Sequence, residues 1–348
     1  MLLRYKIEMI KEFLKRTLGV IVLCVVAFSS SAQNGGASSY NFLDITTSSK
    51  IFGLGGVNIS MVDSYDVMTT EQNPSLLGPE MSRSIAVGYM RYVGGSNFAN
   101  AKYANAAGEN GAWAVGLQYF GYGSVTSALP DGTITGRFSP MDMAFIGQYS
   151  HNLSSRWRGG ITLKFLLNSY DTYTAMAIAT DLGVNYYDPE TDQSVSLVVA
   201  NLGGQVKKFN NVAERLPFDV RLGWSGALGN LPFNLSITAW NLTRWSLPYW
   251  NNGNGNTEPQ LVDKFFPNLF RHLVFGLEWR PSESFYVNLG YNYTTRTDMA
   301  TYSRNLLSGF SIGAGLKVRA FGVGVSFAQH HQSAATFMLN LTTNLYDF

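Results

Sequence analysis

Apolar residues alternate with small or polar residues through the last two-thirds of the chain, in segments of roughly ten residues separated by turns. In the segment 157–167, for example, Leu163 and Phe165 fall on one face, whereas Thr162 and Lys164 fall on the other. This period of two is that of a β-strand, whose successive side chains point to opposite faces of the sheet. Many such strands, each with one apolar and one polar face, predict a β-barrel that crosses a membrane.

The alternation predicts an all-β chain in which fourteen antiparallel strands close into a transmembrane barrel, the first strand pairing with the last. The predicted strands lie near residues 84–93, 97–106, 111–121, 139–150, 157–167, 173–187, 193–202, 216–228, 232–245, 270–280, 284–295, 308–318, 320–329 and 335–348. The long connections all follow odd-numbered strands: Tyr122–Phe138, Gly203–Arg215, Ser246–Leu269 and Arg296–Leu307. Outer-membrane barrels have short periplasmic turns and longer outer loops, so we expect these loops at the cell surface.

The beginning of the chain has the pattern of a secretory signal peptide. Several basic residues precede a short apolar run, Thr17–Phe28, and Ser30–Ala32 supplies the small residues that a signal peptidase needs. We therefore expect cleavage near residue 32. Lipid attachment at Cys24 is an alternative that the preceding bulky Leu23 disfavours, and Met9 is a second plausible start of the product.

These patterns divide the chain into a signal peptide, 1–32, an N-terminal segment with a plug for the lumen, 33–83, and the barrel, 84–348. Charged residues make up 14% of the chain, against about 25% in soluble domains, and aromatic residues also make up 14%. No apolar run approaches the roughly 20 residues of a membrane-spanning helix. A water-soluble β-sandwich is the alternative to the barrel.

Nothing in the sequence points to catalysis, to a cofactor or to a metal site. The run Gly53–Val57 superficially resembles a phosphate-binding loop but lacks its spacing and its strand–turn–helix context. The predicted inward face carries charges, which we interpret as ion pairs that fill the lumen rather than a catalytic cluster: Lys164, Asp181, Asp219, Arg221, Glu278 and Lys317. The charges form no basic stripe, which disfavours nucleic acid as a partner.

The connection Ser246–Leu269 combines aromatic residues with Asn and Gly. Its aromatic residues are Tyr249, Trp250, Phe265 and Phe266. Exposed aromatic side chains often anchor protein partners, and they also form the girdles of membrane barrels at the lipid interface. Both interpretations stay open, and the four residues are candidates for partner binding.

Residues 42–80 read FLDITTSSKIFGLGGVNISMVDSYDVMTTEQNPSLLGPE and resemble the plug of the FadL-like outer-membrane family. Within that family, Phe42-Leu43, the stretch Ser48–Asn58 and Gln72–Leu77 are most similar to the PorQ-type members of the type IX secretion system of Bacteroidota, with PorV the next nearest. Ser75 departs from the commoner Asn-Pro-Ala form of the motif. The resemblance implies a fourteen-stranded barrel whose plug carries Gly53, Gly55, Gly56, Asn73 and Pro74. We expect the three glycines at sharp turns in the lumen, because glycine adopts backbone conformations that a Cβ forbids, and we expect Asn73-Pro74 at the entry to the first strand.

The PorQ-type resemblance implies a non-enzymatic component of a cell-surface attachment complex. Such a component sits in outer-membrane lipid and lipopolysaccharide, and it anchors a PorZ-like surface protein beside PorU-like and PorV-like members that join secreted cargo to lipopolysaccharide. The alternative is a FadL-type passive transporter of hydrophobic small molecules. The inward positions are mostly small or polar, which favours the plugged scaffold. Ile51, Phe52, Leu54 and Val57 are nevertheless suited to line an apolar pocket. A barrel hydrolase is a third, weaker alternative.

Overall fold

The computed structural model describes residues 40–129, 131–209, 213–229, 231–251, 258–298, 307–331 and 334–347. The chain divides into two units, Met1–Gly35 and Gly36–Phe348, and every described residue belongs to the second. The predicted signal peptide therefore lies outside the described residues, as do residues 252–257 of the longest loop.

The described residues form eighteen strands. In chain order they are β1 (Ser84–Arg91), β2 (Asn97–Ala107), β3 (Gly111–Gly121), β4 (Val125–Ala128), β5 (Ile134–Phe138), β6 (Met141–Asn152), β7 (Trp157–Tyr170), β8 (Tyr173–Asp188), β9 (Gln193–Lys207), β10 (Asp219–Ala227), β11 (Phe233–Ala239), β12 (Tyr249–Asn251), β13 (Gln260–Val262), β14 (Leu273–Ser282), β15 (Phe285–Asn292), β16 (Phe310–Val318), β17 (Phe321–His331) and β18 (Ala334–Asn344). β4 pairs with β5 and β12 with β13 in two separate hairpins, and the other fourteen strands form a closed antiparallel barrel. Pairing of β1 with β18 closes the barrel, which confirms the predicted fold.

The helices are short and do not form part of the barrel wall. They are α1 (Ser49–Gly53), α2 (Phe265–Arg271) and α3 (Tyr293–Asp298), with 3-10 turns at Asn41–Asp44, Val67–Thr70, Pro74–Leu76, Pro79–Met81, Val93–Gly95 and Leu345–Asp347. Among the described residues, every helix is too short or too polar to span a bilayer.

Two strand ends differ clearly from the prediction. β9 continues past residue 202 to Lys207 because of a bulge, where Thr180 lies opposite Leu202 but Leu182 lies opposite Val199. The bulge reverses the alternation of side chains along the rest of β9, so the sequence pattern indicates an end where none exists. β11 ends at Ala239 rather than at 245, because the chain turns back after it and Arg244 N donates to the Asn241 carbonyl at 3.1 Å.

The two faces of the barrel wall have the predicted character. Leu163 and Leu222 point outward and are 58% and 48% exposed, whereas the neighbouring Lys164 and Arg221 point inward and are buried. A closed barrel with an apolar outer surface and polar inward positions is the architecture of outer-membrane proteins. The connections 122–140, 208–218, 240–272 and 293–309 lie at one end, which we call the long-loop end, and we call the opposite end the short-turn end.

Candidate functional site

Residues 40–82, which we call the luminal segment, contact the inner face of the barrel on different sides before β1 begins. Asn58 Nδ2 donates to Ser236 Oγ on β11 at 2.9 Å. Ser150 Oγ on β6 donates to the Leu77 carbonyl at 2.6 Å. Contacts with well-separated strands of a closed barrel place this segment inside the lumen.

Glycine residues on the inner face of the wall make room for the luminal segment. Eight of them lie against it: Gly160, Gly183, Gly223, Gly276, Gly290, Gly313, Gly322 and Gly324. A Cβ at Gly290 would lie 2.0 Å from Gly55 N, and a Cβ at Gly160 would lie 2.4 Å from the carbonyl carbon of Pro74. The backbone of the luminal segment therefore occupies positions that side chains of the wall would otherwise fill.

The three glycines of the predicted plug motif have two different roles. Gly55 and Gly56 adopt φ values of +102° and +85°, which glycine adopts at no steric cost, and they turn the chain after α1. The prediction of a sharp turn at Gly53 is wrong, because Gly53 is the last residue of α1. Its lack of a Cβ instead permits close approach to the wall, since a Cβ there would lie 2.9 Å from Gly313 Cα.

Asn73 and Pro74 do not lie at the start of the first strand, where the sequence predicts them. β1 starts only at Ser84, and Asn73 instead caps a 3-10 turn whose first residue is Pro74. Asn73 Nδ2 donates to the Ile59 carbonyl at 2.7 Å, and a Cβ at Gly183 would lie 2.2 Å from Asn73 Oδ1. The motif thus ties two parts of the luminal segment together against β8.

Lys50 on α1 is the centre of a buried charge cluster that joins the luminal segment to β14. Its ammonium lies 2.7 Å from Asp63 Oδ2 and 2.9 Å from Glu278 Oε2. The Arg280 guanidinium pairs with the other Glu278 oxygen, and Lys50 Nζ also lies 4.7 Å from the centre of the Tyr286 ring. Lys50 and Glu278 are 1% and 0% exposed, so the centre of this ionic attachment is buried, whereas Asp63 and Arg280 are partly exposed.

Two more ion pairs attach the luminal segment to other parts of the wall. Arg221 on β10 donates from Nη2 to Asp44 Oδ1 at 2.7 Å. Lys102 on β2 lies 3.4 Å from Glu71 Oε2, and Gln118 on β3 donates to Glu71 Oε1 at 2.8 Å. The luminal segment is therefore attached through charges to three separate regions of the barrel.

The six inward charges singled out in the sequence do not converge on one place. Lys164 pairs with Asp181 at 2.7 Å, and Arg221 pairs with Asp219 at 2.9 Å. Lys317 differs from them, because its ammonium lies over the Tyr65 ring, 3.8 Å from its centre. Within the residues that the structure describes, no group of His, Cys, Asp and Glu is arranged to hold a metal ion.

Two aspartates of the luminal segment lie in opposite electrostatic environments. Burial disfavours the ionised form of Asp63, but the Lys50 ammonium and hydrogen bonds outweigh burial and lower the pKa of Asp63. For Asp66, burial and then the negative charge of Asp63 raise the pKa to about 6. The folded state thus favours protonated Asp66, so its contribution to stability is complete below about pH 4 and is lost as the pH rises through 6.

An apolar cluster fills the lumen toward the long-loop end. It consists of Tyr40, Phe42, Phe52, Met90, Phe98, Phe120, Ala144, Ile146, Leu166, Ala177, Ala179, Leu216, Ala328 and Met338. The luminal segment supplies Tyr40, Phe42 and Phe52, and most of the others are inward-facing residues of the wall. Phe52 therefore lies in an apolar environment, as the transporter alternative expects, whereas Leu54 packs against Gly276 and Gly290.

A polar cavity of about 830 Å³ lies at the short-turn end of the lumen, between the luminal segment and the wall. Its lining includes Asp63, Tyr65, Asp66, Arg156, Arg158, Asn185, Arg280, Tyr286, Lys317 and Asn344. The larger apolar cluster thus lies toward the long-loop end of the lumen, and the polar cavity lies at the short-turn end. A smaller apolar cluster, which includes Leu77, Met81 and Ala112, also lies at the short-turn end.

Three of the four aromatic candidates for partner binding are exposed side chains of the loop 240–272. Phe266, Trp250 and Phe265 are 69%, 59% and 59% exposed. Tyr249 is only partly exposed, because its hydroxyl lies 3.2 Å from that of Tyr293 and the Arg271 guanidinium covers its ring. Tyr249 therefore stabilises the loop, and it does not belong to the exposed aromatic surface.

Sequence reasoning did not identify the charged residues of the luminal segment as functional. Lys50, Asp63 and Glu71 are isolated in a sequence without periodicity, and their partners follow much later in the chain. The only signal was the presence of charges in a stretch expected inside a barrel. An inward charge on a strand, such as Glu278, indicates that an opposite charge must face it, but not which residue carries that charge.

No family model matches the chain, and no curated protein matches it. Among solved structures, the monoaromatic hydrocarbon channel CymD has a TM-score of 0.54 at 12% identity, over 88% of this chain and 99% of that one. The toluene transporter TodX of Pseudomonas putida has a TM-score of 0.51 at 9% identity, over 86% of this chain and 97% of that one. Both are channels of the FadL family. At these identities the likeness establishes a shared fold, and the chain therefore has the FadL-type barrel fold.

Proposed function

We propose that this barrel is a gated outer-membrane passage for small apolar molecules. The observation that carries the proposal is the large apolar cluster inside the lumen toward the long-loop end. The interior of a water-filled porin is polar throughout. An apolar interior toward the long-loop end instead favours solutes that partition out of water. This function corresponds to the transporter alternative of the sequence analysis.

The fold likeness supports the same class of solute. CymD is described as a monoaromatic hydrocarbon channel and TodX as a toluene transporter. Both proteins share this fold, at 12% and 9% identity. Aromatic side chains of the cluster, such as Phe98 and Phe120 with ring centres 5.9 Å apart, are suitable neighbours for a small aromatic solute.

The luminal segment acts as the gate in this proposal. A solute that enters at the long-loop end, which we place at the cell surface, reaches the cluster around Phe42 and Phe52. Beyond it, α1 and its ion pairs stand between the solute and the polar cavity at the short-turn end. Passage therefore requires that the luminal segment moves, or that the solute leaves through the wall.

The wall is weakest beside the outer half of β9. Pairing of β9 with β10 ends at Ala200, opposite Asp219, although β9 continues to Lys207. On that side Leu216, from the connection 208–218, belongs to the apolar cluster, and Leu202 is 37% exposed. The proposal accordingly includes a sideways route from the cluster to lipid beside β9.

Uptake by intact cells tests the proposal. In a host whose lipopolysaccharide layer limits the entry of toluene, cells that make this protein should take up labelled toluene several-fold faster than cells with an empty vector. A hydrophilic sugar of similar size is the control solute, and its uptake should not change. Equal toluene uptake with and without the folded protein in the outer membrane would refute the passage.

A second candidate is the non-enzymatic anchor that the PorQ-type resemblance implies, in an attachment complex with a PorZ-like partner and PorU-like or PorV-like members. One observation favours it: Trp250, Phe265 and Phe266 are large, apolar and exposed on one loop. Aromatic side chains of this kind dominate binding energies when a partner buries them.

For the second candidate, Trp250→Ala and Phe266→Ala should reduce recovery of a bound surface protein by about ten-fold or more, because an aromatic anchor contributes about 2 kcal/mol or more. The measurement is co-purification from detergent-solubilised outer membranes, with heat-dependent gel migration as the check that the barrel is folded. Trp279→Ala is the matched control, since Trp279 is 41% exposed on a barrel strand away from this loop. Unchanged recovery in both loop variants would exclude this surface as the anchor.

A further inference from the structure

We infer that Lys164, Asp181 and Asn201 form a site of self-catalysed cross-linking, in which the Lys164 amine displaces ammonia from the Asn201 side chain and leaves an amide bond between the two residues. This inference goes beyond the proposed passage and does not depend on it. It concerns three buried polar residues of the wall to which the passage assigns no role.

The three side chains meet on the inner face of three consecutive strands. Lys164 lies on β7, Asp181 on β8 and Asn201 on β9, and they are 5%, 1% and 1% exposed. Lys164 Nζ lies 2.7 Å from Asp181 Oδ2 and donates to Asn201 Oδ1 at 2.9 Å. The amine therefore touches a carboxylate that can accept its proton, and it also touches a carboxamide whose carbon, one bond beyond Oδ1, is the atom that an amine attacks.

The bulge in β9 places the Asn201 carboxamide against the amine. Ala200 and Asn201 are both buried, although successive residues of a regular strand face opposite sides. Asn201 has a φ of +56°, which residues other than glycine rarely adopt. Its backbone N–H donates to Asp181 Oδ1 at 2.7 Å, and its Nδ2 donates to the Pro217 carbonyl at 3.0 Å. These contacts hold Oδ1 toward Lys164, and backbone strain of this kind is characteristic of functional sites.

The reaction balances without an oxidant or a further reactant. Asp181 takes one proton from the Lys164 ammonium, which leaves a neutral amine beside a neutral carboxylic acid and removes two charges from a buried place. The amine lone pair forms a bond to Asn201 Cγ, and the electron pair of the C=O bond moves to Oδ1. A second amine proton passes to Nδ2, the C=O bond forms again and the Cγ–Nδ2 bond breaks. The released ammonia takes the proton from Asp181 and departs as ammonium, so the carboxylate is regenerated.

The surroundings of the amine favour this reaction over hydrolysis. Ala179, directly opposite Lys164, and Leu166, the next inward residue of β7, are both 0% exposed. Groups that are held in contact react far faster than the same groups free in solution. Because the site is closed to solvent, little water competes with the amine for Asn201 Cγ.

The cross-link strengthens the wall where backbone pairing ends. It joins β7 directly to β9 across β8 and closes a covalent ring through residues 164–201. Pairing of β9 with β10 ends at Ala200, the residue before Asn201. The new bond therefore fixes β9 at the point beyond which β10 no longer holds it.

Mass spectrometry of the unaltered protein tests the inference. Chains from the folded barrel should weigh about 17 Da less than chains of the same mature sequence isolated from inclusion bodies, because one ammonia is lost. A tryptic digest of the folded barrel should contain a branched peptide that includes both Lys164 and Asn201, with no cut after Lys164. Equal masses, with the two residues recovered in separate peptides, would overturn the inference without the need for any variant.

Two variants test the role of the carboxylate. Asp181→Asn keeps the shape of the side chain but cannot take the proton, so the mass loss and the branched peptide should both disappear. Asp219→Asn is the matched control, because Asp219 is also a buried inward carboxylate but pairs with Arg221, and its chain should still cross-link. A cross-link in the Asp181 variant, or its equal loss in both variants, would refute the role of Asp181. The mass measurement is independent of toluene uptake, so either result leaves the passage to its own test.

Discussion

Replacing Lys50 with Met is expected to destabilise the folded barrel by about 3–5 kcal/mol and to loosen the luminal segment. The substitution leaves the Asp63 and Glu278 carboxylates, which lie 2.7 and 2.9 Å from the ammonium, without their shared partner. An uncompensated buried charge is among the most destabilising changes in a protein. Unfolding in urea, monitored by heat-dependent gel migration, measures the loss of stability. Conductance of single barrels in planar bilayers measures how far the luminal segment is loosened.

Lys317→Met is the matched control for this prediction. Lys317 lines the same polar cavity, but it contacts the Tyr65 ring rather than a carboxylate, so its loss leaves no carboxylate unpaired. We expect a change of about 1 kcal/mol or less and unchanged conductance. If the two variants unfolded at the same urea concentration and conducted equally, the Lys50 cluster would not be what attaches the luminal segment.

Replacing Gly290 with Ala is expected to displace the luminal segment from the wall. The new Cβ would lie 2.0 Å from Gly55 N and 2.3 Å from the carbonyl carbon of Leu54, and these are backbone atoms that cannot rotate away as a side chain can. Overpacking of this kind typically costs about 1–3 kcal/mol. We expect the barrel to remain folded and the chain within residues 40–82 to become sensitive to protease, which limited proteolysis in detergent detects.

Gly147→Ala provides the control, since Gly147 also lies on a barrel strand and a Cβ there would meet nothing within 4 Å. In this variant, residues 40–82 should be as resistant to protease as they are in the unaltered protein. Protection of residues 40–82 in the Gly290 variant would mean that the wall moves instead of the segment, and that the glycine contacts do not determine where the segment lies.

The barrel was predictable from the sequence because its strands repeat one simple rule. Leu163 and Leu222 face outward and Arg221 faces inward as the period of two predicts, and closure between β1 and β18 follows the predicted strand count. The rule fails where an extra residue enters a strand. The bulge at Asn201 shifts the alternation, so the sequence alone hides the outer half of β9.

The site was only partly predictable, for a different physical reason. The motif around Gly55 and Pro74 indicates a segment inside the barrel, but a segment without regular structure has no period from which to read its neighbours. The pairing of Lys50 with Glu278 depends on the path of the whole chain. The aromatic loop illustrates the same limit, because Tyr249 and Trp250 are adjacent in sequence, yet only Trp250 is widely exposed, since Tyr293 and Arg271 cover its neighbour.

Contacts between the luminal segment and β18 bear on how the barrel closes. Asn340 on β18 accepts from the backbone N–H of Ser49 and donates to the Thr47 carbonyl at 3.0 Å. Thr342 on the same strand donates to Asp66 Oδ1 at 3.3 Å. A slip of one residue between β1 and β18 would turn Asn340 and Thr342 toward lipid and would leave their partners unpaired in the lumen. The luminal segment, which precedes every strand, therefore stabilises the observed register of the β1–β18 seam against a slip of one residue.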